Sequence, residues 1–428
     1  MNNYTGFREL ELVDWRQFGH ISIDFHSRLT ILTGANASGK STLLGILARH
    51  LNWNRQYSSA PVRNFKDRNS WSILGPRRMR RMRDTGSRWA QIGILTYGNG
   101  GRTEISVPIS DANGRQEYDL YLPEQQLIQG VYLNSHRISN GNYISVPAIP
   151  TIFTDAEQMF ERFTEEMRAV WAGSWTGRPP RMALKEALMA AALFGSPGNL
   201  SIDYNPEAAE IWDGFQEILS LVLPKSIRFK RLRVRVPDVI VETATGDFVL
   251  DDASGGVSAV LEMAWQIFLR SRNTDNFTVV LDEPENHLHP SLQRELLPSL
   301  LTAFPKAQFV VATHSPFVVT ATPDSYVYVL DFNNDGQVDS RALDYANKSS
   351  GADDTLRRVL GLPSTLPIWA EKELSEIVTR HLRGSLTAES MDTLRDELTA
   401  IGLESDFPET VVRIVDSHRD GGSNNAQA

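Results

Sequence analysis

The period of the apolar positions changes repeatedly along the chain, and each change marks an element or a boundary. FRELELVDWRQFGHISIDFHSRLTILTG, residues 7–34, alternates in short runs joined by tight turns and predicts strands ending in the buried strand LTIL at 29–32. STLLGILARHL, from Ser41, then takes helical spacing. Residues 90–148 are strand-like again (QIGILTYG, RTEISVPI, EYDLYLP, LIQGVYLNS), with turn signals at 98–101 and at Asn113-Gly114, and predict an antiparallel patch. From Asp155 to Leu223 the period is helical, in three segments broken by Pro179-Pro180 and by the Gly/Ser/Pro run at 195–198. Strands return over 227–250, and a helix follows from about Val257 to Arg270. The apolar strands TVVL (278–281) and QFVVAT (308–313) then flank a further helix. Beyond Tyr345 the pattern is mostly helical and ends in the low-complexity tail GGSNNAQA; no internal repeat or sustained heptad occurs.

Composition narrows the chemistry. The 428 residues, 41% hydrophobic and 22% charged, have material for a sizeable core and for two or three domains. There is no cysteine, which removes disulfides, thiolate metal sites and thiol nucleophiles. The first residues carry no basic-then-apolar leader pattern and no apolar run reaches membrane-span length, so the expectation is a soluble, cytoplasmic protein without a membrane partner. A net charge of −9 argues against a dedicated nucleic-acid binder, but the average hides two basic islands. Between Arg49 and Arg88 eleven Lys/Arg face two acids, a local net of +9, and Lys225 to Arg235 carries six positives and no acid.

The stretch Gly34-Ala-Asn-Ala-Ser-Gly-Lys40-Ser41 fits G-x-x-x-x-G-K-[ST], with a strand before it and a helix after it. Glycines let backbone N–H groups curl around phosphate oxygens, and the helix N-terminus adds a favourable dipole. Gly34, Asn36, Ser38, Gly39, Lys40, Ser41 and Thr42 are therefore the candidate nucleotide-binding set, with Lys40 reaching the β- and γ-phosphates and Ser41 holding Mg²⁺. The second half of such a site is VVLDE: a strand buried on both faces delivers Asp282 to the magnesium shell and Glu283 as general base for the attacking water. Ser254, Gly255 and Gly256 precede a helix and form a second anion site, best used on the γ-phosphate of nucleotide bound by another subunit. His314, after a strand, is placed to contact the γ-phosphate or the water.

In order, GANASGKST, ASGG, VVLDEPENHLHP and ATHSP resemble the ATP-binding-cassette head domains of the SMC/RecF/overcoming-lysogeny group, over about residues 5–345. Asn36 and the D-E-P-E-x-x-L-H-P run fit that group better than transporter cassettes. The resemblance implies an α/β P-loop NTPase fold: a mixed-sheet core with an antiparallel β patch, a helical insertion and a helical C-terminal extension. The parts are an ATPase lobe at 1–150, the insertion at 151–224, a second lobe at 225–345 and the extension at 346–428. It implies ATP and Mg²⁺ as cofactors, Lys40, Ser41, Asp282, Glu283 and His314 as the hydrolytic set, and Ser254 with Gly256 as a signature supplied in trans. Ala253 and Val257 depart from the usual leucine and glutamine or glutamate. The magnesium-sensing glutamine has three candidates, Gln125, Gln126 and Gln129.

Without a coiled coil this is not an SMC arm protein, and the residues after Tyr345 show no toprim pattern of a strand, an acid and D-x-D. The short form resembles the stand-alone ATPases of bacterial anti-phage systems, of the Septu, PARIS and retron-associated kinds; the segment at 353–378 looks like the C-terminal region of the Septu type. That resemblance implies a homodimer or higher oligomer gating a separately encoded nuclease of HNH or toprim type. The alternatives are a RecF-like DNA-maintenance ATPase and, last, a transporter motor.

Other features have plainer readings beside functional ones. Arg77–Arg83 fits nucleic-acid phosphates, an acidic partner or a solvated loop. In Lys230–Arg235 the arginines share one strand face, which reads first as a half-buried strand and second as a phosphate stripe. Asp331–Gly336 begins like a calcium loop, but Ala342 stands where a bidentate glutamate is needed, so it reads as a hairpin turn. His287 and His289 read as packing and dimer-contact residues. Trp15 and Arg16 lie where related heads approach adenine, with core packing an equal reading for the tryptophan.

Overall fold

The computed structural model describes residues 6–61, 71–73, 88–109, 117–135, 143, 145–174, 177–198, 201–343, 352, 355–359, 366–382, 387–403 and 411. Arg77–Arg83 and the C-terminal tail lie outside these residues. Two compact units divide at residues 361 and 362.

In the first unit, β1 (Phe7–Trp15), β2 (Phe18–Asp24) and β3 (Leu29–Gly34) lead through the Gly34–Gly39 loop into α1 (Lys40–Ala48). Next come β4 (Trp89–Tyr97), β5 (Arg102–Pro108) and β6 (Gly130–Leu133), and the helices α2 (Ala156–Trp171), α3 (Pro180–Phe194) and α4 (Pro206–Val222). A three-stranded sheet of β7 (Phe229–Arg235), β8 (Asp238–Thr243) and β9 (Phe248–Val249) precedes α5 (Gly255–Arg272). The unit continues with β10 (Phe277–Asp282), α6 (Pro290–Ala303), β11 (Ala307–Ala312), α7 (Pro316–Val319), β12 (Tyr326–Phe332) and β13 (Val338–Ala342).

The main sheet has ten strands in the order β6-β10-β11-β3-β12-β13-β2-β1-β4-β5. The first five run parallel, with Leu133 opposite Leu281, Asp282 opposite Ala312, Ala312 opposite Leu32 and Gly34 opposite Leu330. β3, β10 and β11 are buried at every position because α1 and other elements cover the sheet, which is why they read as unbroken apolar runs. β1, β2, β4 and β5 are antiparallel and alternate. The α/β P-loop fold with a mixed sheet is thus present. One strand differs from expectation: β6, from LIQGVYLNS, leaves the antiparallel patch and adds to β10 in parallel as the sheet's edge.

The insertion helices start where side chains satisfy their free N–H groups. Asp155 accepts from Gln158 N, and Asn205 accepts from Glu207 N and Ala208 N ahead of Pro206. They pack side by side and onto α5. Asp331–Gly336 is the hairpin connection between β12 and β13. Trp15 is core rather than a wall for a base: it is fully buried and its Nε1 donates to Tyr118 Oη at 3.0 Å. Arg16 lies over the Tyr57 ring.

The second unit holds α8 (Ile368–Leu382) and α9 (Ala388–Ala400), joined by a small core of Ala370, Leu374, Ile377, Leu394, Leu398 and Leu403. Thr387 and Ser390 form a capping box at the start of α9.

Candidate functional site

Four strand ends meet at one edge of the parallel half-sheet, and the segments that leave them form the site. β3 delivers the loop 34–39, β10 delivers Asp282 and Glu283, β11 delivers Thr313 and His314, and β6 delivers Asn134 and Ser135. The crevice at such carboxyl ends is where open α/β sheets bind ligands.

The loop has the backbone its sequence requires. Gly39 has φ 97°, and a Cβ there would come within 2.4 Å of Gln17 Nε2 and 2.5 Å of the Phe18 ring, so only glycine fits. Lys40 is 5% exposed, and its Nζ donates to the carbonyls of Gly34 and Ala35 at 3.0 and 3.1 Å. Burial pulls its pKa down to about 8 against the opposing pull of Glu283, Asp282 and Glu285. The hydroxyl of Ser38 is buried with no hydrogen-bond partner. Ser41 Oγ donates to Asp282 Oδ1 at 3.1 Å. An under-solvated ammonium, an orphaned hydroxyl beside it, and a hydroxyl paired with a carboxylate fit a phosphate group and a hard cation with oxygen ligands.

Glu283 has φ 46°, rare for a residue with a side chain and common at functional turns. Its carboxylate lies 3.4 Å from His314 Nε2, and Asn286 Nδ2 donates to its other oxygen at 3.1 Å. Burial and the nearby Lys40 ammonium hold the His314 pKa below its ordinary value, against Glu283. Thus Gly34, Ser38, Gly39, Lys40, Ser41, Asp282, Glu283 and His314 come together. Ser254, Gly255 and Gly256 lie at the start of α5, where Ser254 and Gly255 are exposed and the serine hydroxyl makes no capping bond. A Cβ on Gly256 would lie 3.1 Å from His287 O, so this loop packs on the turn that follows Glu283.

Three residues of the site, Glu285, Asn134 and Ser135, escaped the sequence reading. Glu285 is 8% exposed, and its Oε1 accepts from Thr313 Oγ1 at 2.6 Å, His314 N at 2.8 Å and Ser315 N at 3.1 Å. It fixes the segment that carries the histidine. Glu285→Ala should lower turnover by roughly 10- to 100-fold by misplacing His314, with nucleotide affinity little changed. Single-turnover hydrolysis alongside nucleotide titration measures the split, and an unaltered rate would refute the role.

Asn134, 6% exposed with its Oδ1 unpartnered, and Ser135 line a cavity of about 170 Å³ together with Ser41 and Asp282. The three glutamine candidates are engaged elsewhere: Gln125 with Arg49, Gln126 with Asn99, and Gln129 with Arg270 at 2.6 Å. The register of β6 beside β10 decides this, and no local pattern announces it.

The remaining candidates take plain roles. Arg231 and Arg233 both pair with Glu242 at 2.6 Å, whose single carboxylate offsets one charge of the Lys230–Arg235 stripe, while Leu232 is buried on the other face of β7. His289 Nδ1 accepts from Ser291 N and caps α6. No cluster of three or more metal-ligating side chains forms around it or His287 among the described residues. No helix of the described residues is long and apolar enough to cross a membrane.

Two family models match parts of the chain: "AAA domain" over residues 9–120, and "AAA domain, putative AbiEii toxin, Type IV TA system" over residues 226–320. The Septu protein PtuA of Bacillus thuringiensis is 27% identical over 158 residues, 34% of this chain and 40% of that protein. The Retron Vc95 probable ATPase of Vibrio cholerae is 36% identical over 53 residues, 12% of this chain and 10% of that protein. The matches thus span less than half the length of either relative. Among solved structures, the SMC head domain from Thermotoga maritima aligns over 79% of this chain and 99% of that one, with TM-score 0.41 and 16% identity. Parts of the chain are thus similar to AAA domains, to the Septu protein PtuA and to a retron probable ATPase.

Proposed function

We propose that this chain is a magnesium-dependent ATPase whose head-to-tail dimer sandwiches two nucleotides and gates a separately encoded effector nuclease in anti-phage defence. The observation that carries the dimer is the exposed Ser254–Gly255 loop: a helix N-terminus with an uncapped hydroxyl, in a chain whose phosphate site already has its own loop and lysine. Such a loop is matched to the γ-phosphate of a nucleotide held by a second copy.

Within each copy, Lys40 and the N–H groups of the 34–41 loop grip the phosphates, and Ser41 with Asp282 holds the metal. Bound magnesium supplies neutralisation of the phosphate charge. Glu283 accepts a proton from the attacking water at its carboxylate, and Asn286 and His314 keep that carboxylate aimed. Because ADP lacks the γ-phosphate, the Ser254 loop favours the closed dimer only before hydrolysis, and the equilibrium between open and closed dimers becomes the signal.

The effector assignment rests on the likeness to the Septu and retron proteins and on a site suited to phosphoanhydride hydrolysis. The purified chain, given ATP, magnesium and DNA, is expected to release phosphate and leave the DNA intact. DNA cleavage by the chain alone, lost in a Glu283→Gln control, would overturn the need for a separate nuclease.

A further inference from the structure

The segment that leads into the Ser254 loop is held by the helical insertion. Lys185, on α3, is fully buried, and its Nζ lies 2.5 Å from Asp251 Oδ2 and 3.0 Å from Asp238 Oδ1. Tyr143 closes the cluster: its ring faces the ammonium at 5.2 Å and its hydroxyl donates to Asp238 Oδ2 at 3.2 Å. One helical turn earlier on α3, Arg181 pairs with Glu262 of α5 at 3.1 Å, both side chains 8% exposed. Two buried ion contacts from one insertion helix therefore grip α5 and the segment that enters it.

Asp251 stands three residues ahead of Ser254, in the short helical turn Leu250–Asp252. The turn is closed by Ala253 N donating to Leu250 O, and Ser258 Oγ donates to Ala253 O at 3.2 Å. With so little slack, fixing the Asp251 carboxylate fixes the serine. Burying a lysine and an aspartate is costly, and a well-packed apolar pair holds two elements together as well or better. What the ion cluster adds is direction, since a short charge-assisted contact tolerates little change of angle or distance.

We infer that Lys185 is a positioning residue for the Ser254–Gly256 loop, so that the helical insertion, rather than the ATPase sheet alone, sets whether that loop can engage nucleotide on a second copy. This rests on the dimer reading above. It gives the insertion a regulatory place: a partner that moves α3 shifts the loop and changes dimer closure without touching the phosphate site.

The test uses full-length chain carrying Glu283→Gln as parent, with Lys185→Met, Asp251→Asn and the double variant built on it. Asp251→Asn keeps the Lys185–Asp238 pair and is the milder lesion should Lys185→Met fold poorly. Nucleotide affinity is read by titration, dimerisation by light scattering with ATP, and folding by thermal melting. The expected result is nucleotide affinity within about twofold of the parent, because Asp238, Asp251 and Tyr143, which contact the Lys185 ammonium, are not residues of the phosphate loop, and an ATP-dependent dimer weakened by at least about tenfold. The double variant, which removes both buried charges, should regain melting temperature over Lys185→Met without regaining dimerisation; a purely structural cluster would restore both together. Parent-like dimerisation in any folded variant, or dimerisation that tracks melting temperature throughout, overturns the inference while leaving the dimer intact. A parent that stays monomeric with ATP overturns the dimer reading and the inference with it.

Discussion

Lys40→Ala should abolish nucleotide binding. The ammonium is nearly enclosed, and its Nζ donates to the loop carbonyls of Gly34 and Ala35. Burial has already pulled its pKa down to about 8, a measure of how poorly the site solvates it without an anion. Phosphate restores that missing solvation, so the contact is a desolvated, charge-assisted one. Removing one partner of such a contact costs about 2–5 kcal/mol, or roughly two to three orders of magnitude in affinity. Titration with a fluorescent ATP analogue measures it, and an affinity equal to the parent's would undo the assignment of the phosphate loop.

Glu283→Gln should stop turnover while keeping nucleotide, and the chain should accumulate as an ATP-bound dimer. The substitution keeps volume and hydrogen-bonding reach, so the turn at φ 46° and the contact to Asn286 survive. What is lost is a carboxylate able to take a proton from water. General-base catalysis is worth about 10²–10⁴-fold in rate, which sets the expected fall in turnover. Light scattering with ATP and with ADP follows the dimer. Ordinary turnover in this variant would remove Glu283 from the role of base.

The phosphate loop was legible because its whole requirement is local: a buried strand, glycines at fixed places, a lysine and a helix start within one short stretch. The strands FTVVLD and AQFVVA were legible for a similar reason, since burial on both faces leaves an unbroken apolar run. Hydrophobicity does not encode which neighbour a strand chooses or in which direction it runs. GVYL therefore passed for a member of the antiparallel patch, and Asn134, brought beside the Ser41–Asp282 pair only by that neighbour choice, went unseen. Glu285 was visible as an acid, but its three donors come from Thr313, His314 and Ser315, on the far side of an intervening helix. Trp15 illustrates the opposite case: a large aromatic near a ligand site was filled into the core because its ring and its N–H both found partners there.

The place of β3 in the sheet bears on how the chain is made. Its two neighbours are β11 and β12, so Leu29 pairs with Phe309 and Thr30 with both Val310 and Tyr326. A ribosome therefore releases the phosphate loop long before the strands that flank it exist, and the nascent loop has no sheet to hold its shape. Pairing of such sequence separation is slow and comes late. The first lobe waits, unable to grip nucleotide, until synthesis has passed β12.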